Sequence, residues 1–102
     1  MRAGHRREST NGAYTLVMQS DGNLVAYRNG AGAVWSSRTA GNAGAYAVNQ
    51  TDGNVVVYGP TKALWSTRTH GKSGTTLYMQ DDGNVVARLA NGTPVWASGT
   101  AR

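Results

Sequence analysis

Three short segments of the chain carry side chains that could grip a small polar ligand. Gln19, Asp21, Asn23, Val25 and Tyr27 alternate along the first, and Gln50, Asp52, Asn54, Val56 and Tyr58 repeat them 31 positions later. Gln80, Asp82, Asn84 and Val86 repeat them after 30 more, with Arg88 where the tyrosines stand. An ionised aspartate only accepts hydrogen bonds, asparagine and glutamine both donate and accept, and tyrosine adds a hydroxyl. A ligand matched to such a set has several hydroxyls around a weakly apolar face, which describes a sugar, with the valine as its apolar contact. Such a site rejects an epimer, because a misplaced hydroxyl leaves buried polar groups unpaired.

Other chemistries fit these residues less well. One carboxylate and two amides per copy are thin for calcium, which takes about 6 to 8 oxygens, so neither a metal nor a cofactor is expected. Glycoside hydrolysis needs two carboxyls within about 5 to 9.5 Å, whereas the motif aspartates fall one per copy. Asp81 and Asp82 are chain neighbours whose side chains diverge, and His5 and His70 are isolated. Without cysteine or a Ser-His-acid set, no enzyme is expected. Asp-Gly-Asn also suits a plain turn, but turn chemistry requires neither the Gln two residues before nor the Tyr four after.

The elements that must hold these residues are strands. Tyr14 to Gln19 and Asn23 to Tyr27 are short alternating runs flanking Asp-Gly, a strong hairpin signal. A two-residue loop would turn Gln19 away from Asn23. A three-residue loop, Ser20 to Gly22, pairs Gln19 with Asn23, Val17 with Val25 and Thr15 with Tyr27. It also wants a left-handed glycine at its third position, where Gly22, Gly53 and Gly83 stand. This register puts Gln19, Asn23, Val25 and Tyr27 on one face, with Asp21 at the rim, and Leu16, Met18, Leu24 and Ala26 on the other, the core face. Leu77, Met79, Val85 and Ala87 repeat the core pattern, while Asn49 interrupts it in the second copy.

A Trp follows each copy, as Trp35, Trp65 and Trp96. No segment shows a helical period. The expected fold is all-β, with three small sheets in pseudo-threefold symmetry and the tryptophans meeting near the shared axis. Residues 1–102 are expected to form a single domain with repeats at about 12–41, 42–72 and 73–102.

Composition narrows the partners. There is no Phe, Ile or Cys. The core must be thin and no disulfide can staple it. A net charge of +5 is compatible with nucleic acid. The bases are scattered, however, as Arg28, Arg38, Lys62, Arg68, Lys72, Arg88 and Arg102, with only Arg2, Arg6 and Arg7 clustered, while four of the five acids sit in the repeated turns. The bases therefore read as a solvated surface, with no nucleic acid and no membrane insertion expected. Met1 to Thr10 lacks the apolar run of a secretory signal.

The motif Gln-x-Asp-x-Asn-x-Val-x-Tyr, repeated about every 30 residues with a trailing Trp, resembles the bulb-type mannose-binding lectins over residues 12 to 100. The resemblance implies a β-prism II fold of three four-stranded antiparallel sheets and metal-independent binding of mannose and high-mannose glycans. It implies that Asp21 and Asn23 take the axial O2 of mannose, Gln19 takes O3 and Tyr27 takes O4. Asp52, Asn54, Gln50 and Tyr58 repeat those roles, and the third site, with Arg88, is expected to be weaker. The opening Met1 to Ser9 resembles the family's first strand, with Arg7 in place of Leu. The resemblance further implies secretion and a homodimer that exchanges the closing strand Thr93 to Ser98. A structural or toxin-targeting module, docking a protein or a bacterial surface polysaccharide, is the alternative reading.

Overall fold

The computed structural model describes residues 1–101, which form strands and no helix. The strands are β1 (Arg6–Glu8), β2 (Tyr14–Met18), β3 (Leu24–Arg28), β4 (Gly32–Ser36), β5 (Tyr46–Asn49), β6 (Val55–Tyr58), β7 (Ala63–Ser66), β8 (Thr76–Met79), β9 (Val85–Arg88) and β10 (Pro94–Ala97). They make three antiparallel sheets, ordered β1-β2-β3-β4, β5-β6-β7 and β8-β9-β10.

The hairpins adopt the three-residue loop. Val17 pairs with Val25 and Thr15 with Tyr27, and the Gln19 amide donates to the Asn23 carbonyl at 2.9 Å. Gly22, Gly53 and Gly83 have φ of 92°, 94° and 89°. Leu16, Met18, Leu24 and Ala26 are fully buried, joined in one core by Val55, Val57, Val85 and Ala87. Trp35, Trp65 and Trp96 meet edge to face, with ring centroids 5.3, 5.4 and 5.5 Å apart, a near-equal triangle that marks the pseudo-threefold axis. Edge-to-face pairing suits the aromatic quadrupole and adds to the apolar area buried.

Only the first sheet has four strands; the other two have three. The links that precede β5 and β8 reach across to another unit. Asn42 N donates to Asp21 O at 3.0 Å and Gly71 N to Asp52 O at 2.8 Å, so each link clasps the hairpin turn of the unit before it. The ring closes at the third turn, where Thr10 Oγ1 and Asn11 N donate to the Asp81 carboxylate at 2.7 and 3.0 Å. These bonds, the Asn11 amide first and the Thr10 hydroxyl second, hold the Asp81 carboxyl below its ordinary range.

β1 forms although Arg7 stands at an inward position. Its backbone pairs Arg7 with Leu16, and as an edge strand it leaves all three side chains exposed. Asn49, which interrupts the core pattern, sits at an exposed strand end and donates to Thr75 O of the neighbouring sheet at 2.7 Å. A polar intruder thereby becomes a tie between two sheets.

Candidate functional site

Each hairpin presents its motif on the outer face of its sheet, built from the strand ends on both sides of the turn. The aspartate is fixed first. Asp21 Oδ1 accepts from Asn23 N at 2.9 Å, and Asp52 and Asp82 accept from Asn54 N and Asn84 N at the same distance. One carboxylate oxygen therefore shapes the turn and the second is left for a ligand. Its turn role leaves each of these aspartates one oxygen with no protein partner among the described residues.

The asparagine is fixed from behind. Thr39 N donates to Asn23 Oδ1 at 3.1 Å. Thr69 N does the same for Asn54 at 3.2 Å. Ser98 Oγ, Gly99 N and Thr100 N surround Asn84 Oδ1. With the carbonyl turned inward, the amide Nδ2 faces outward as a donor, and no protein acceptor meets it among the described residues.

A relay of hydroxyls holds this arrangement. Leu24 N donates to Ser37 Oγ at 3.0 Å, Ser37 Oγ and Thr39 Oγ1 are 2.7 Å apart, and Thr39 Oγ1 donates to Gly22 O at 2.5 Å. Thr39 has one proton and gives it to Gly22 O, so Ser37 is the donor between the two hydroxyls. Val55 N, Thr67, Thr69 and Gly53 O form the second relay. Val85 N, Ser98, Thr100 and Gly83 O form the third. Sequence reasoning missed these residues. Their signal was visible: a hydroxyl residue two positions after each Trp and a Thr four after it.

The glutamine and tyrosine complete the first two sites. Gln19 Nε2 donates to Tyr27 OH, and Gln50 Nε2 to Tyr58 OH. The glutamine oxygen and the phenolic proton are then both available to a ligand. Each of these sites offers two acceptors and two donors in fixed order around a valine floor. Val25, Val56 and Val86 are each only 3% exposed, so that floor is small.

The third site differs as Arg88 requires. Its Nη1 donates to Gly92 O at 2.8 Å, which turns the guanidinium toward the β9–β10 loop and leaves Gln80 without a hydroxyl partner. Further differences lie across the strands. Tyr46 faces Tyr58 with ring centroids 5.9 Å apart, where the first sheet has Thr15 facing Tyr27. Tyr78, 47% exposed, faces Val86, where the first sheet has Val17. Asp81 belongs to the clasp described above and not to the site. No group of three or more His, Cys, Asp or Glu that could hold a metal ion occurs among the described residues.

No protein-family model matches the chain. It is 42% identical over 92 residues to a mannose-specific lectin of Aloe arborescens, a match spanning 89% of this chain and 84% of that one. The monomeric monocot mannose-binding lectins of Gastrodia elata share its fold with a TM-score of 0.89 at 38% identity, over 100% of this chain and 92% of theirs. The snowdrop (Galanthus nivalis) agglutinin, solved with methyl-α-D-mannoside, matches with a TM-score of 0.70 at 34% identity, over 100% and 96%. Fold, repeated motif and identity over nearly the whole length agree: the chain belongs to the bulb-type mannose-binding lectin family, with its β-prism II fold.

Proposed function

We propose that residues 1–102 act as one lectin domain that binds terminal mannose and mannose-rich glycans at the outer faces of its hairpins. Asp21 and Asn23 take the axial O2, Gln19 takes O3 and Tyr27 takes O4, and Asp52, Asn54, Gln50 and Tyr58 repeat this. Gln80, Asp82, Asn84 and Val86 form a third, weaker site, since losing one net hydrogen bond costs about 0.5 to 1.5 kcal/mol, a twofold to tenfold loss in affinity. The observation that carries this reading is the inward-locked asparagine carbonyl, which makes Nδ2 a donor beside the aspartate acceptor. A hydroxyl that donates to the aspartate and accepts from the asparagine satisfies both. Each site holds a single carboxylate of the motif, so binding without catalysis is the reading it supports.

Calorimetric titration with methyl α-D-mannoside, with and without chelator, tests the proposal. Saturable binding that survives chelation is expected, with two equivalent sites and one weaker, and with little response to methyl α-D-glucoside. No saturable response to the mannoside rejects it. Individual sites are shallow, so a branched glycan engaging several gains affinity by roughly 10² to 10⁴.

Assembly is proposed as a homodimer through exchange of β10. Within one chain β10 pairs with β9 and carries Trp96 to Trp35 and Trp65. A partner's β10 could make the same contacts, so exchange conserves them and is governed by concentration. Sedimentation is expected to show mass falling from dimer to monomer on dilution, and a single monomer mass at all concentrations rejects exchange.

A further inference from the structure

Two clefts lie away from the motif sites, where neighbouring sheets approach the tryptophan axis. One, of about 520 Å³, is lined by Trp35, Ser36 and Arg38, with Trp65 across it. The other, of about 580 Å³, is lined by Trp65, Ser66 and Arg68, with Trp96 across it. The pattern is one cleft used twice. In each, the serine hydroxyl accepts from the arginine amide at 3.2 Å, which leaves the serine proton to be donated.

Arg38 and Arg68 are the only non-glycine residues with positive φ among the described residues, at 58° and 55°. That region is costly for a side chain with a Cβ and is where strain tends to mark function. The third copy shows that the turn itself does not require arginine. Gly99 stands there with φ of 75°, and Ala97 replaces the serine. Arginine and serine are thus kept together in two copies, against backbone preference, and lost together in the third. Neither guanidinium has a hydrogen-bond partner among the described residues, unlike that of Arg88, which is anchored to Gly92 O. The sequence reading of these bases as mere solvated surface does not account for that placement.

We propose that these two clefts bind acidic sugar residues, namely pyranoses bearing a carboxylate, as a second ligand class beside the neutral sugar of the motif sites. A guanidinium matches a planar carboxylate with two parallel hydrogen bonds. The half-buried indoles offer an apolar face to the C–H side of a pyranose ring, and the serine supplies a hydroxyl-directed donor. A chain of net charge +5 attracts such a ligand at long range.

The test is titration with methyl β-D-glucuronide, followed by tryptophan fluorescence, against methyl β-D-glucoside as the uncharged control. The glucuronide is expected to give a saturable change that the glucoside does not and that added salt weakens. The double variant Arg38→Gly and Arg68→Gly recreates the third copy's backbone. It is expected to lose at least about tenfold in glucuronide affinity, the size of a lost charge-assisted contact. Its midpoint of thermal unfolding is expected to hold or rise, because the strain is relieved. Mannoside titration is expected to be unchanged in this variant, so failure of the motif-site assignment and failure of this one are read separately. Glucuronide binding no tighter than glucoside, equal affinity in the double variant, or binding only to a polyanion such as a DNA oligonucleotide overturns the proposal.

Discussion

Replacing Asn23 and Asn54 together by aspartate is expected to weaken mannoside binding by about ten- to a hundredfold while the hairpins stay folded. The inward oxygen survives the change, so Thr39 N and Thr69 N keep their acceptor. What changes is the outward atom, from an amide donor to a carboxylate acceptor. The proposed O2 hydroxyl has one proton, already given to Asp21 or Asp52, and cannot satisfy a second carboxylate beside the first. Calorimetry against methyl α-D-mannoside reads the loss, and thermal unfolding checks the fold. Unchanged affinity would refute the donor role of the asparagine. Alanine at Asp21 or Asp52 is a less clean test, because it also removes the acceptor of the Asn23 or Asn54 amide and loosens the turn.

Gly53→Ala is expected to cost roughly 2 to 5 kcal/mol of folding stability, combining left-handed strain with overpacking. A Cβ at this position would lie 2.1 Å from Lys72 O, a backbone atom that cannot move without opening the clasp between the second and third units. Gly22 is equivalent, with Asn42 O at 2.2 Å. Gly92 serves as the control. Its φ is 90° but nothing lies within 4 Å of a Cβ there, so Gly92→Ala is expected to cost only the local strain, roughly 1 to 2 kcal/mol. Urea unfolding of the three variants separates the two contributions. Equal costs at Gly53 and Gly92 would show that the close approach between units carries no weight.

By itself the sequence determined the hairpins, their register, the buried face and the set of residues on the outer face. Those follow from local rules: a left-handed glycine at the third loop position fixes the pairing, and the two-residue alternation of a strand then sorts every side chain. It also placed the three tryptophans together, since three short amphipathic sheets have nowhere else to bury them. Tertiary structure decided what depends on contacts distant in sequence. The strand counts of four, three and three, and the clasp that each link makes on a turn of another unit, depend on the packing of all three repeats. Gly22 and Gly53 proved necessary for an approach between units as well as for φ, which no single hairpin reveals. The asparagine orientation depends on the Thr39 N–H, 16 residues further along the chain from Asn23. Arg38 and Arg68 looked like scattered charge in the sequence, because only the packing of neighbouring sheets sets an indole across from each.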